Sequence, residues 1–359
     1  MRKVVVTGLG AVLTSATDDI IGGWSSASRG AGLFTAIPPQ KQDLLELMRR
    51  ESQGLFDRFS PGQTARRSVV WSVSKNNFSL FEDWIGGGDR DFFSDFEAHF
   101  LARTFGLGGQ AMCPVAACAS GSHALILGAR LIEAGDADVV LCGASEPPQH
   151  PVILAAYRNM GASSPSGAMR PFDRRRDGFV PASGSGFLVL ESLDHAQNRG
   201  AQVHALLSGY SMRSDASHMT SMSSSGDSIV RAIDEALSKA NGSMIGYINA
   251  HGTATRLNDA LEARALNRVF GSKTLVSSTK PLTGHLLGAS GAVEAVISIV
   301  AMKEGVLPPT MGLEEPEIDL DFVREERGGE VGSVLSLNYG FGGHIGAVVF
   351  DKLPTDEHR

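Results

Sequence analysis

Short apolar runs alternate with amphipathic stretches along most of this chain, and this alternation limits the fold more than any other feature of the sequence. From residue 121 onward, runs of strand length are separated by segments with a helical spacing of apolar residues. Such alternation predicts an α/β fold with mostly parallel sheets, because each helix returns the chain to start the next strand. The predicted strands are residues 4–6, 138–143, 186–191, 205–210, 246–249, 275–278, 335–338 and 345–350, the last two as a hairpin.

The predicted helices complete this pattern and suggest two units. A polar stretch at residues 194–200 separates residues 1–195 from residues 196–359. The apolar segment 286–302 contains Glu294, which is typical of a buried helix and not of a membrane span. Helices are predicted at residues 41–51, 92–105, 122–134, 152–159, 228–239, 259–270 and 286–302.

Composition and charge exclude several classes of protein. The 359 residues carry a formal net charge of −7, so nothing indicates a nucleic-acid surface. The three cysteines are odd in number and lack zinc-type spacing, which argues against a disulfide framework or a metal site and favours a reducing, cytoplasmic setting. The first apolar run, residues 4–6, gives way at once to glycines, as expected for a strand and not for a signal peptide.

One thiol stands out because of its surroundings. Cys118 lies among small residues directly before the predicted helix 122–134. The positive end of a helix dipole favours a thiolate, so we expect a lowered pKa and a nucleophilic sulfur. The alternative is a buried structural cysteine, since free cysteines are often buried.

Three further windows follow predicted strands, where ligands bind in open α/β sheets. Two of them contain a histidine beside glycine and threonine, namely His251 and His285, and the third is a glycine-rich turn at residues 338–343. A single histidine at such a junction is more often structural. Two histidines in matching contexts, together with a thiol, indicate a catalytic site.

These windows resemble the β-ketoacyl-acyl carrier protein synthases, the elongating condensing enzymes of the thiolase superfamily. The thiol window Ala-Cys-Ala-Ser-Gly-Ser-His-Ala is similar to the family's Ala-Cys-Ser-Ser-Gly-Ser-His-Ala. The window His-Gly-Thr-Ala-Thr-Arg-Leu-Asn-Asp is similar to the family's His-Gly-Thr-x-Thr-x-x-Asn-Asp. The matching windows appear in family order at residues 117–124, 170–179, 251–259, 278–294 and 340–343.

The resemblance implies a thiolase-like fold of two similar halves that form a layered α-β-α-β-α core. The N-terminal half, residues 1–195, would carry the nucleophile Cys118, and the C-terminal half, residues 196–359, would carry His251 and His285.

The resemblance also implies the reaction, a decarboxylative Claisen condensation that extends an acyl thioester with malonyl-acyl carrier protein to a 3-oxoacyl product. Cys118 would take the acyl group, and the backbone N–H groups of Cys118 and Phe341 would hold the oxyanion. His251 and His285 would each donate an N–H to the enolate left by loss of CO₂. Phe341 is also expected to gate the acyl pocket.

Further residues receive supporting roles from the same resemblance. Lys280 and Glu294 are expected to form an ion pair beside His285 that fixes its orientation. Hydroxyl groups are expected to bind the pantetheine arm of the carrier, although they could equally cap loops. They belong to Thr253, Thr255 and Thr283.

The expected partner is an acyl carrier protein, whose phosphopantetheine carries the substrates, so neither a metal nor another cofactor is expected. The family implies a homodimer that pairs near residues 139–141, or a heterodimer with a related chain. We expect no nucleic acid and no membrane. An alternative function is a non-catalytic, chain-length-factor-like subunit, but such subunits lose the thiol that Cys118 retains. Fatty acid, polyketide and aryl polyene pathways all stay open.

The acyl pocket is expected to be closed at its far end and to take short to medium chains; the alternative is that a shorter wall leaves the pocket open. The stretch before Cys118 is short for the family and rich in aromatic residues, which fill space effectively. The residues expected to close the pocket are Phe92, Phe93, Phe96, Phe100 and Phe105.

Overall fold

A large mixed sheet encloses two buried helices in the computed structural model, which describes residues 2–13, 34–36, 65–87 and 93–353. The helix predicted at 41–51 and the residue Phe92 lie outside this range. The strands are β1 Val4–Leu13, β2 Phe34–Ala36, β3 Arg67–Val73, β4 Ala111–Met112, β5 Val139–Glu146, β6 Gly184–Ser192, β7 Ala205–Ser214, β8 Tyr247–Asn249, β9 Leu275–Ser277, β10 Val306–Leu307, β11 Asp321–Phe322, β12 Arg327–Gly328, β13 Ser333–Gly340 and β14 His344–Asp351. The helices are α1 Phe78–Ile85, α2 Phe96–Thr104, α3 Ser120–Ala134, α4 Pro151–Asn159, α5 Leu193–Asn198, α6 Asp227–Lys239, α7 Arg256–Phe270, α8 Lys280–Thr283 and α9 Ser290–Glu304.

The order of strands repeats within the sheet. One half runs β1-β6-β5-β3-β4 and the other runs β7-β14-β13-β8-β9-β11, with β2 added to β1. β1 and β7 pair antiparallel in the middle and join the halves into one sheet. The predicted boundary between residues 195 and 196 falls inside α5, which follows β6.

The sheet is mixed, so the prediction of mostly parallel pairing is wrong. β1, β5, β6, β7, β13 and β14 form antiparallel pairs at the centre, and parallel pairs lie toward the edges. The central long strands are not all joined by helical crossovers: β13 and β14 form the predicted hairpin, with a short turn between Gly340 and His344. The alternation of strand-like and helix-like segments shows where the helices lie. It does not determine whether two successive strands pair with each other, or in which direction.

Two helices fill the space between the halves of the sheet. α3 packs on β3, β5 and β14, while α9 packs on β6, β13 and α3. Successive side chains of β14 point to opposite faces of the sheet. Val348 and Phe350 pack with the central helices, and Val349 between them packs with the outer helices α6 and α7. With α2 outside the other half, the layers follow the expected α-β-α-β-α order. No helix among the residues described is long and apolar enough to cross a bilayer.

Each central helix is preceded by a 3₁₀ turn, and this arrangement places the thiol. The turn Ala117–Ala119 precedes α3 and the turn Leu287–Ala289 precedes α9, and the two turns pack against each other. A Cβ at Gly121 would lie 2.6 Å from the backbone nitrogen of Ala292, so only glycine allows this approach. Helix α3 begins two residues earlier than predicted, and Cys118 lies in the preceding turn.

The aromatic residues before the thiol do not close a pocket around it. Phe96 stacks on Phe100, and Phe100 and Phe105 pack with Trp71 on the outer face of the sheet. Phe93 is half exposed. Cys118 belongs to a separate apolar cluster, so the described aromatic residues do not pack around the thiol, and a role for them at the far end of the acyl pocket stays a prediction.

Candidate active site

A cavity of about 760 Å³ brings together the thiol and both histidines. Cys118 comes from the turn before α3, His251 from the loop after β8, and His285 from the loop before α9. Phe341, which follows β13, lines the same cavity. The strand ends therefore converge as the sequence predicts, since β8, β9 and β13 run parallel and end at one edge.

The environment of Cys118 is more apolar than expected. The residue is 7% exposed and packs with Phe179, Leu287 and partly buried Tyr157. Burial raises the pKa of the Cys118 thiol to about 12, and the nearby Glu146 carboxylate acts in the same direction. The expected lowering of this pKa is therefore wrong: the desolvation of the sulfur outweighs the cationic groups near it.

His251 is held by a lysine ammonium. The Nζ atom of Lys280 lies 3.4 Å from Nδ1 of His251. Because an ammonium can only donate, Nδ1 must accept, and the ring proton stays on Nε2. The sequence placed Lys280 and Glu294 beside His285, but the hydrogen-bond partner of Lys280 is His251.

His285 is oriented by packing and by a hydroxyl group. Its Nδ1 lies 3.1 Å from Oγ of Ser290, the first residue of α9. Its ring packs edge-on against Phe179, with centroids 4.9 Å apart, and its centroid lies 5.7 Å from that of His251. If Ser290 donates, the Nε2–H of His285 is free to serve as a donor.

Both imidazoles are neutral at physiological pH. Burial lowers the pKa of His251 and of His285 well below the usual value, and the positive charge of Lys280 lowers both further. A neutral imidazole with its proton on Nε2 is a hydrogen-bond donor that does not need to be charged. Two such donors suit an oxygen atom that gains negative charge during a reaction.

Lys280 and Glu294 form the expected ion pair in the protein interior. Nζ lies 2.5 Å from Oε1 of Glu294, and the two side chains are 0% and 2% exposed. The other carboxylate oxygen accepts a bond of 2.6 Å from Nδ2 of Asn338. Burial raises the pKa of Glu294, while Lys280 opposes this effect. A buried charge pair needs such additional hydrogen bonds, because desolvation of both ions is costly.

The predicted pantetheine-binding threonines separate into two groups. Thr253 and Thr255 line the cavity, and their Oγ1 atoms lie 2.9 Å apart. Thr283 does not line it; its hydroxyl donates to the carbonyl oxygen of Gly284 at 2.8 Å. The hydroxyl of Thr283 therefore forms its hydrogen bond within its own loop.

Phe341 follows a glycine that touches the thiol turn. A Cβ at Gly340 would lie 2.4 Å from the carbonyl oxygen of Ala116 and 3.1 Å from the backbone nitrogen of Cys118. Only glycine lets β13 end this close to the turn. Gly342 and Gly343 have φ values of +87° and +76°, a region that favours glycine. Phe341 is therefore followed by two residues that carry no side chain.

Two acidic residues that the sequence analysis missed hold the His251 loop. Glu262 accepts the backbone N–H of His251 at 2.7 Å, and Asp259 accepts that of Thr253 at 3.0 Å. Both lie on the buried face of α7. Burial raises the pKa of Glu262 to about 8. Two acidic residues three positions apart at the start of a predicted helix, just after the His251 window, were the sequence signal for carboxylates that hold this loop.

Comparisons with known proteins agree with this geometry. The family model "Beta-ketoacyl synthase, N-terminal domain" matches residues 88–196, and "Beta-ketoacyl synthase, C-terminal domain" matches residues 204–314. Together the two models match more than half of the chain. A layered fold with a thiol and two histidines at the strand ends defines a thiolase-like protein. The chain belongs to the β-ketoacyl synthases.

Individual relatives include a 3-oxoacyl-acyl carrier protein synthase and a subunit of a polyketide synthase. The chain is 43% identical over 264 residues to "3-oxoacyl-[acyl-carrier-protein] synthase 2" of Synechocystis, which covers 70% of this chain and 64% of that protein. It is 43% identical over 251 residues to the "Tetracenomycin polyketide synthase ketoacyl synthase alpha subunit" of Streptomyces glaucescens, covering 66% and 58%. The chain thus matches less than two thirds of the length of these relatives.

A solved structure matches over nearly the whole length. It is a type II polyketide synthase acyl-carrier protein in complex with its ketosynthase bound to a hexaketide. The TM-score is 0.84 at 28% identity, with 98% of this chain and 100% of that chain covered. The thiolase-like fold predicted from the sequence is therefore confirmed.

Proposed function

We propose that the protein is a β-ketoacyl synthase that condenses an acyl thioester with malonyl-acyl carrier protein to give 3-oxoacyl-acyl carrier protein. The observation that carries this proposal is the convergence of Cys118, His251 and His285 on one cavity. A nucleophile and two neutral N–H donors are the groups that both half-reactions require.

In the first half-reaction the sulfur of Cys118 attacks the carbonyl carbon of the acyl thioester. A C–S bond to Cys118 forms, the bond to the carrier sulfur breaks, and the thiol proton passes to the carrier thiol. The backbone N–H groups of Cys118 and Phe341 hold the oxyanion. Because the Cys118 thiol has a raised pKa, the sulfur must lose its proton as it attacks, and the proposed oxyanion donors offset part of that cost.

In the second half-reaction a malonyl thioester loses CO₂ and leaves an enolate. The Nε2–H groups of His251 and His285 donate to the enolate oxygen, and both are already neutral and oriented. The enolate carbon attacks the acyl carbonyl, the C–S bond to Cys118 breaks, and the released thiolate takes a proton from water. Lys280 acts as a positioning residue, because its ammonium keeps Nδ1 of His251 as an acceptor.

The alternative of a non-catalytic, chain-length-factor-like subunit fits the site less well. Such a subunit has no need for a thiol in the cavity or for a buried Lys280–Glu294 pair behind a histidine. This chain keeps all of these groups in contact.

The proposed partner is an acyl carrier protein bearing phosphopantetheine. The structural relative described above was captured with its carrier. The cavity here is lined by the buried Thr253, by the partly buried Thr255 and by the exposed Arg256, which suits a polar arm ending in a phosphate. Condensation by these groups requires no metal and no further cofactor. The three cysteines are all unpaired, which supports a cytoplasmic location.

We further propose a homodimer that pairs through the sheet near residues 139–141. The segment 139–141 lies in β5, which is paired on both sides by β3 and β6 and cannot accept another strand. β4 ends the described order of strands on that side. Val115, three residues after the end of β4, is 48% exposed, and an apolar residue near a sheet edge favours a partner. Sedimentation at micromolar concentration tests this: a monomer, or assembly only with a related chain, would contradict a homodimer.

Two measurements on one sample test the proposed reaction. The protein is incubated with acyl-carrier protein thioesters, intact mass spectrometry counts the adducts, and mass spectrometry of its peptides locates them; malonyl decarboxylation is followed separately. We expect an acyl group on Cys118 and none in Cys118→Ala. An adduct on Cys113 or Cys142 with Cys118 unmodified would refute the assignment of the nucleophile.

A further inference from the structure

The proposed mechanism leaves one buried ion pair near the thiol without a role. Nζ of Lys75, after β3, lies 2.5 Å from Oε1 of Glu146 and 2.8 Å from Oγ of Ser74. The other oxygen of Glu146 accepts the backbone N–H of Gly288 at 3.0 Å. The side chains of Lys75 and Glu146 are 26% and 1% exposed. The carboxylate is therefore fixed in the interior, and the ammonium faces a small pocket.

This ion pair lies directly behind the apolar neighbours of Cys118. Leu287 packs in the cluster of Cys118, and the next residue, Gly288, is the one that binds Glu146. Tyr157 belongs to the same cluster. Burial is the main cause of its raised pKa, and the Glu146 carboxylate adds to it. The Tyr157 ring therefore packs beside the thiol and lies within electrostatic range of Glu146.

One face of α4 connects the thiol to the ion pair. Tyr157 packs beside the thiol, and Ile153, one turn earlier, lines a small pocket together with Lys75 and Glu146. The two α4 residues are about 6 Å apart along the helix axis. No residue of α4 is fully buried, and Ile153 and Tyr157 are both partly buried.

We propose, given the acyl transfer proposed above, that Lys75 and Glu146 are specificity-determining residues for the acyl group on Cys118. The chain of the thioester extends along the inner face of α4, past Tyr157, and meets the charged pair. The pair limits alkyl chains to those that end before it.

The physical reason is the chemistry of the end of this path. A methylene group that reaches apolar surroundings improves binding about fourfold. A methylene group placed against a hydrated ammonium and a carboxylate gains nothing and displaces their solvent. The preference for longer chains should therefore rise and then stop where the chain meets Lys75.

The test removes both charges while keeping the shapes of the side chains. Lys75→Met/Glu146→Gln retains an acceptor for the N–H of Gly288. Rates of acyl transfer to Cys118 are measured by intact mass from pantetheine thioesters of two, four, six, eight and ten carbons. We expect the ratio of the eight-carbon rate to the two-carbon rate to increase at least tenfold, about the effect of two methylene groups that find apolar room.

A matched control makes the same substitutions in a pair elsewhere. Lys239→Met/Glu133→Gln alters a lysine–glutamate pair of 2.9 Å whose side chains are 28% and 15% exposed. It joins α6 to the far end of α3. We expect its chain-length profile to match that of the unaltered protein.

A second readout needs no variant and covers the case in which the double variant does not fold. Transfer of a hexanoyl group is compared with that of a 6-hydroxyhexanoyl group in the unaltered protein. Beside the charged pair the hydroxyl keeps hydrogen-bond partners, so we expect the hydroxylated chain to react at least as fast. In an apolar pocket it would react about tenfold more slowly or worse.

The outcomes separate this proposal from the proposed reaction. If no thioester acylates Cys118, the proposed reaction fails. If Cys118 is acylated but the profiles of the double variant and the unaltered protein coincide, Lys75 and Glu146 do not select the acyl group. If the hexanoyl group reacts tenfold faster than its hydroxylated counterpart in the unaltered protein, the acyl chain does not end beside the charged pair, and the proposal is likewise contradicted.

Discussion

Breaking the ion pair between Lys280 and Glu294 should destabilise the fold and impair one step of catalysis. The substitution Lys280→Met keeps the length of the side chain but removes its charge. It leaves the Glu294 carboxylate with Asn338 as its remaining side-chain partner. It also removes the donor to Nδ1 of His251, so that ring can adopt the other tautomer.

The magnitude follows from the burial of both groups. Removing one partner of a buried ion pair costs about 3–5 kcal/mol, because the other charge stays in the interior unpaired. In Lys280→Met/Glu294→Gln both charges are gone and Asn338 keeps an acceptor, so the double variant should cost less than either single variant. A double-mutant cycle of the two single variants and the double variant should give an interaction free energy between Lys280 and Glu294 of about 3 kcal/mol or more.

The cost should depend on pH in a defined direction. Burial already raises the pKa of Glu294 above its ordinary value of 4.5, and loss of Lys280 removes a group that opposes this. A carboxyl group with a raised pKa in the folded state binds its proton more tightly than in the unfolded state. The free energy of unfolding therefore falls as pH rises from 4.5 through the pKa of the folded state, because the folded protein loses this advantage in proton binding. Lys280→Met should be less destabilised at pH 5 than at pH 8.

Urea unfolding at pH 5 and pH 8 measures these free energies, and malonyl decarboxylation measures catalysis. The control is Arg327→Met, which breaks a surface pair with Asp321 of 51% and 37% exposure and should cost below about 1 kcal/mol. Decarboxylation in Lys280→Met should fall by about 10², the scale of one lost oxyanion donor. A cost below 1 kcal/mol, or unchanged decarboxylation, would refute this account of the pair.

Three further expectations concern the thiol, the histidines and the cavity mouth. Because the Cys118 thiol has a pKa of about 12, its alkylation by a neutral reagent should rise about tenfold per pH unit from pH 7 to 10; a plateau below pH 9 would contradict this. His251→Ala and His285→Ala should each lose malonyl decarboxylation by about 10² while acyl transfer suffers less, and survival of decarboxylation in the double variant would exclude both as donors. Arg256→Glu should raise KM for malonyl-acyl carrier protein but not for malonyl-pantetheine, which lacks the phosphate; equal changes would remove Arg256 from phosphate recognition.

Local sequence determined the class of fold and the identity of the reactive groups. Strand and helix alternation predicted α/β layers, and the small residues around Cys118 predicted a turn before a helix. The rule that strands end at a common edge was enough to expect His251 and His285 near the thiol. These features depend on residues close in sequence or on a general property of parallel strands.

Only the tertiary structure decided how those groups are tuned. The direction of the Cys118 pKa depends on burial by Phe179 and Leu287, which come from distant parts of the chain. The choice of His251 as the partner of Lys280, and the position of Thr283 outside the cavity lining, depend on the geometry of the loops. Desolvation and hydrogen bonding act over distances between atoms, and spacing along a chain does not determine those distances.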